Sequence, residues 1–176
     1  MVVTHYHSLL MKKIVILDLE TTGLDPETHE IIEIGAVSVD DGPVFSVKVH
    51  PLHLDVADPK ALEVNGYCKE DWADACLLPH ALTLLSQFVG EDRPLAMAYN
   101  VSFDRSFLER AYRMCDLPYP FHYHHLDLMT LVWAQKKTTL SLKTACLANG
   151  IPPEADVHRA LGGAMSAYQL YKKISG

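Results

Sequence analysis

The stretch KKIVILDLETTG, residues 12–23, decides how the chain folds. Its apolar positions run without alternation from Ile14 to Leu17 and resume at Leu19, the pattern of a strand covered on both faces and so central in a sheet. The run ends in two acids, Asp18 and Glu20. Two residues apart on a strand, they project to the same side. Each is costly to bury alone, and side by side they repel. No Lys or Arg lies in the downstream half of the strand, so a divalent cation, a hard ion that takes carboxylate oxygens, is the natural counter-charge. The plainer alternative is a strand that simply ends here with both acids in water.

The rest of the chain arranges itself around this strand. A turn-rich loop, TTGLDPETHE, leads into IIEIGAVSVD and PVFSVKVHP, two β-rich runs joined by Asp41-Gly42-Pro43. They read as a meander with the first strand. Short helical pieces such as PKALEVNG follow, then PHALTLLSQFV with helical spacing at Leu82, Leu85 and Val89. PLAMAYN is a short buried strand, and VSFDRSFLERAYRMC a helix with Phe103, Phe107 and Ala111 on one face. FHYHHLDL holds another short strand, running into the helix LMTLVWAQKK. SLKTACLANG is a helix ended by Gly150, and after the IPPEAD loop a last helix starts near His158. The expected fold is α/β: a mixed five-stranded sheet, a three-strand antiparallel meander plus parallel strands, flanked by helices. A site is expected at the C-terminal end of the first strand.

Bulk properties bound the reading. At 176 residues the chain fits one domain, expected over residues 12–176, with residues 1–11 as an extension outside the fold and Met11 as a second possible start. A net charge of −7 argues against holding polyanions by broad electrostatics alone, although bound cations can reverse the sign of an acidic site locally. No apolar run approaches the roughly 20 residues that span a membrane, and MVVTHYHSLL lacks the features of a signal peptide. Four cysteines without a CxxC pair fit reduced thiols in a cytoplasmic protein.

Taken singly, the other candidate residues are ambiguous. Asp104 falls in the first turn of a helix, where acids are favoured anyway, and Asn100 suits a turn or cap. In the group His122, His124, His125, the first and second could share a strand face, but no third soft ligand is nearby in sequence, and the group reads as a half-exposed strand. His158 alone is uninformative. Two glycines, Gly162 and Gly163, open the last helix, where each costs about 1 kcal/mol against alanine. Helix stability offers no reason for them.

Together, DLETTG, NVSFD and HRALGGA in that order resemble the DEDDh branch of the DEDD 3′→5′ exonucleases, which includes proofreading subunits, ribonuclease T, oligoribonuclease and exonuclease X. The likeness runs from about Lys12 to Lys173 and implies a ribonuclease H-like fold. It implies that Asp18, Glu20 and Asp104 hold two Mg²⁺ or Mn²⁺ ions, with His158 as the general base toward the attacking water. It further implies that Thr21, Thr22, Gly23 and Leu24 cradle the 3′-terminal nucleotide, with Asn100 and Phe103 opposite. The implied substrate is the 3′ end of single-stranded DNA or RNA, in DNA replication or repair. A DNA polymerase or a second copy of the chain is the implied protein partner.

One departure matters. The family's third motif is His-x-Ala-x-x-Asp, and its acid is a metal ligand; here that position is Gly163. Natural degeneration, a single-base change, or solvent in place of the missing oxygen would each explain it. A smaller departure is Tyr99, where relatives often carry histidine, which bears on substrate preference. Two functional readings follow: an impaired metal-dependent exonuclease, or an inactive exonuclease-fold module that binds 3′ ends or a polymerase-like partner. A structural domain whose acids merely cap its elements is the third and weakest.

Overall fold

The computed structural model describes residues 13–40, 42–135, 141–152 and 157–176. Five strands, β1 (Ile14–Thr21), β2 (Ile31–Ser38), β3 (Val44–Lys48), β4 (Leu95–Ala98) and β5 (His125–Asp127), form one sheet in the order β3-β2-β1-β4-β5. β1–β2 and β2–β3 pair antiparallel, while β1–β4 and β4–β5 pair parallel. The unbroken apolar strand is therefore central, as its pattern requires.

Among the described residues, six α-helices complete the fold: α1 (Pro59–Val64), α2 (Leu78–Val89), α3 (Val101–Met114), α4 (Leu128–Ala134), α5 (Leu142–Ala148) and α6 (Ala160–Ser175). The alternation of β1 divides its side chains between two cores. Val15, Leu17 and Leu19 pack with α2 and α3 through Leu82, Leu85, Phe107 and Leu108. Ile16 packs on the other face with Leu128, Val132, Cys146 and Leu170 of α4, α5 and α6. Asp18 and Glu20 share the parity of Ile16, so they lie on the face that α6 covers.

Glycine sets how closely α6 approaches. Gly35 stands opposite Asp18 on β2, and a Cβ there would overlap the backbone of Ala160 and Leu161 at the helix start. The sheet and α6 thus meet backbone to backbone beside the two acids.

Several local expectations are modified. His122 and His124 precede β5 instead of sharing its face; their rings and that of Tyr123 lie 4.0–5.2 Å apart centre to centre. The last helix begins at Ala160, two residues beyond His158, because Arg159 takes an extended N-cap conformation. On α3 the buried stripe is Val101, Asp104, Phe107, Leu108, Ala111 and Tyr112, with Phe103 at its edge, 4.9 Å from Phe107. The tail of the LMTLVWAQKK helix beyond Gln135, most of the IPPEAD loop and the extension at residues 1–11 lie outside the described residues. Among the described residues all four cysteines are free thiols, and no helix is long and apolar enough to cross a membrane.

Candidate active site at the end of the central strand

β1 outruns β4: its parallel pairing stops at Ile16–Met97, so the last turns of β1 open a crevice beside β4. This is where the strand order changes direction, the usual place for a site in an open α/β sheet. Asp18 and Glu20 stand there on one face. Directly across from Glu20 on β2 is Glu33, and the two are only 8% and 4% exposed. Carboxylates facing each other across a ladder with so little water favour a nearby cation or a shared proton.

Asp104 enters from the first turn of α3 and is 3% exposed. Its carboxyl is hydrogen-bonded by its own backbone N–H and by that of Leu19, which places it against the strand segment between the other two acids. Burial pushes its pKa up to about 8, with the Asp127 charge adding to the rise and the two backbone N–H groups opposing it. Asp127, at the end of β5, accepts from Val101 N–H at 2.9 Å and Thr130 N–H at 2.7 Å, tying the starts of α3 and α4 together. Asn100 reaches the α3 N-cap in a left-handed conformation (φ 74°) with no side-chain cap bond. It is a turn residue, as its type suggested.

The loop after β1 is rigidly built. Thr21 Oγ1 donates to Gly23 O at 2.7 Å; Thr22 N–H donates to Glu30 O at 2.8 Å and receives Glu30 N–H on Oγ1 at 2.9 Å. Gly23 lies under the His29 ring, where a Cβ would overlap it. Leu24, by contrast, is 76% exposed. It borders an open groove with Glu20, Thr21, Val64, Asn65 and Phe103. Asn100 is exposed and is not among the residues lining that groove.

A second opening at this strand end, a cavity of about 190 Å³, brings Asp18, His158 and Gly163 together with Tyr99 and Lys143. His158 is exposed, its backbone N–H donating to Val64 O at 3.2 Å. Burial raises the Tyr99 phenol, helped by Cys146 and Asp127. Gly163 is buried, and a Cβ at this position would overlap the Asp18 carboxylate. The space that glycine leaves at 163 is taken by the Asp18 carboxylate, a side-chain end that can turn aside, so packing accommodates glycine here without requiring it.

Hard carboxylate oxygens suit a hard divalent cation, and three acids reach one strand end. In number the set falls short: position 163 offers no oxygen, and among the described residues no three His, Cys, Asp or Glu form a group able to hold a metal. Sequence reasoning had no means to pick out Asn65 or Lys143. Neither lies in a motif, and only folding brings them to the groove and the cavity.

A family model described as exonuclease matches residues 15–171. The chain belongs to the exonuclease family. It is 29% identical over 163 residues to a PolC-type DNA polymerase III of Thermotoga petrophila, covering 91% of this chain and 12% of that protein. It is 28% identical to ribonuclease T of Baumannia cicadellinicola, covering 91% of this chain and 82% of the relative. Among solved structures, the nuclease domain of 3′hExo, a DEDDh family member bound to rAMP, superposes with a TM-score of 0.76 at 17% identity over 94% of this chain and 92% of that one. The chain thus shares the fold of this DEDDh nuclease domain, while spanning about an eighth of the PolC-type polymerase.

Proposed function

We propose that the chain is a metal-dependent 3′→5′ exonuclease acting on single-stranded DNA or RNA ends, impaired as it stands by Gly163. The observation that carries this is the shared cavity of Asp18 and His158 beside the groove of Glu20, Leu24 and Phe103. Asp18, Glu20 and Asp104 would hold Mg²⁺ or Mn²⁺, two ions being expected from the resemblance, with solvent in place of the oxygen that position 163 lacks. Such ions, when bound, lower the pKa of the attacking water and neutralise charge on the phosphate. Thr21 would meet the terminal nucleotide in the groove, the buried Thr22 and Gly23 would hold the loop beneath it, and Leu24 and Phe103 would offer apolar surface to its base. His158, exposed at the cavity mouth, takes the proton of the attacking water; an imidazole suits this near neutral pH. Asn100, at the α3 start, would meet the nucleotide from the side opposite Leu24.

The expected product is a nucleoside monophosphate, released only while a divalent cation is present. Labelled DNA and RNA oligonucleotides, with Mg²⁺ or Mn²⁺ and then EDTA, test this on the chain and on Gly163→Asp together. A Gly163→Asp protein inert on every 3′ end would overturn the proposal.

The seating of Asp18 against Gly163 favours a second reading, a module that binds 3′ ends or a polymerase-like partner without cutting. The match to one stretch of a PolC-type polymerase supports a polymerase as that partner. Calorimetry separates the two readings: the module binds a 3′ end equally well with and without Mn²⁺, and turns nothing over.

A further inference from the structure

Three consecutive residues at the end of α1 hold the three consecutive residues that carry the candidate base. Val64 O accepts the N–H of His158 at 3.2 Å. Asn65 O accepts a hydrogen bond from the Arg159 guanidinium. Gly66, at φ +58°, leaves room for Val157, whose Cγ1 would lie 2.7 Å from a Cβ there. The same short strap borders the groove, since Val64 and Asn65 line it with Leu24 and Phe103.

Asn65 faces both ways. It is 1% exposed, and its amide is satisfied at each end: Nδ2 donates to Thr21 O at 3.0 Å, and Oδ1 accepts from Tyr67 N–H at 3.1 Å. Its side chain thus grips the nucleotide loop while its backbone grips Arg159. Only an amide does this in so dry a place. A carboxylate cannot donate to Thr21 O, and an apolar side chain takes that donor away, leaving the Tyr67 N–H to its second acceptor, Leu62 O at 3.0 Å. The far end of the linkage is fixed as well. The Arg159 guanidinium lies 5.2 Å over the ring of Trp72, which is fully buried and donates to Ile32 O at 2.9 Å.

We propose that Asn65 is a positioning residue that couples filling of the nucleotide groove to the placement of His158. This rests on the exonuclease reading above. A nucleotide against Leu24 and Phe103 presses on Val64 and Asn65, and His158 follows because its backbone hangs from Val64. The coupling matters chemically, since a catalytic group displaced by about 1 Å can lose roughly 100-fold in rate.

The test avoids turnover, so Gly163 does not confound it. Histidine-ring and leucine-methyl NMR signals are followed while AMP or dTMP is added to the full chain in the presence of Mg²⁺. In the unaltered protein the Leu24 methyls and the His158 ring should shift together, along one binding curve. In Asn65→Ala the Leu24 shift should persist and the His158 shift be lost. Asn65→Asp keeps the size and the acceptor for Tyr67, sets an acidic oxygen against Thr21 O in place of the donor, and should lose the His158 response in the same way. It carries the test if the alanine variant fails to fold. A role confined to capping α1 would lower stability and leave the His158 response intact, overturning the coupling. So would a His158 ring that stays still in the unaltered protein while Leu24 moves. If neither signal moves at any nucleotide concentration, the exonuclease reading falls and the coupling with it.

Discussion

With the Asp18 carboxylate lying where the Cβ of residue 163 would be, any new side chain at that position must first turn Asp18 aside. Alanine and aspartate should therefore differ in sign. Gly163→Ala displaces Asp18 and returns no oxygen, so Mn²⁺ affinity measured by calorimetry should fall. Gly163→Asp displaces it and supplies a ligand; since outer partners of metal ligands alone are worth about 10–100-fold, a first ligand should raise nuclease rate by roughly 100-fold or more. Equal effects of the two variants would show that 163 acts by bulk alone. Asp104 gives a pH prediction. Its pKa in the folded chain, about 8, lies above the ordinary 3.8 because burial favours the neutral acid. The folded state then holds a proton that the unfolded state releases, so this stabilisation is complete below about pH 4 and lost as pH rises through about 8. In metal-free protein the Tm should drop between those values, and Asp104→Asn should flatten the drop. A pH profile unchanged by Asp104→Asn would refute it.

Elements depend on the same economy of space. At Gly35, in β2, added volume would strike backbone atoms of Ala160 and Leu161 instead of a movable side-chain end. Gly35→Ala should destabilise the fold by about 1–3 kcal/mol or more, read as a lower urea midpoint, and should loosen α6 from the acids. Asp127 anchors two helix starts at once, through Val101 N–H and Thr130 N–H. Asp127→Ala should cost about 1–2 kcal/mol, with faster amide exchange at both starts; protection unchanged at Val101 would show that the bond carries no weight. Most elements were legible from local pattern: unbroken apolarity for β1, Leu82, Leu85 and Val89 for α2, and Gly150 at φ +70° ending α5. Where local pattern misled, the cause was tertiary. Alternating His122, Tyr123 and His124 suggested a strand face, but β5 begins only at His125, where it pairs with Ala96 of β4.

Across the whole molecule, a net charge of −7 leaves little long-range attraction for a polyanion, so the exonuclease reading calls for binding that is local to the groove and dependent on cations. Single strands lose about 0.7 in log-log salt slope per phosphate neutralised, so the slope for a short oligonucleotide should stay below about 3 in magnitude. A much steeper slope would reveal an extended basic track instead. The spacing of Asp18 and Glu20, their place at the end of a wholly apolar strand, and the order of the three motifs are one-dimensional facts, and they determined the central strand, the family and the acids. The tertiary structure decided what those residues touch: Asp18 against Gly163, Asp104 on the N–H of Leu19, and His158 hung from Val64 beside Asn65. Periodicity records which side of an element a residue faces, whereas contacts between residues 64 and 158 exist only once the chain has closed that distance.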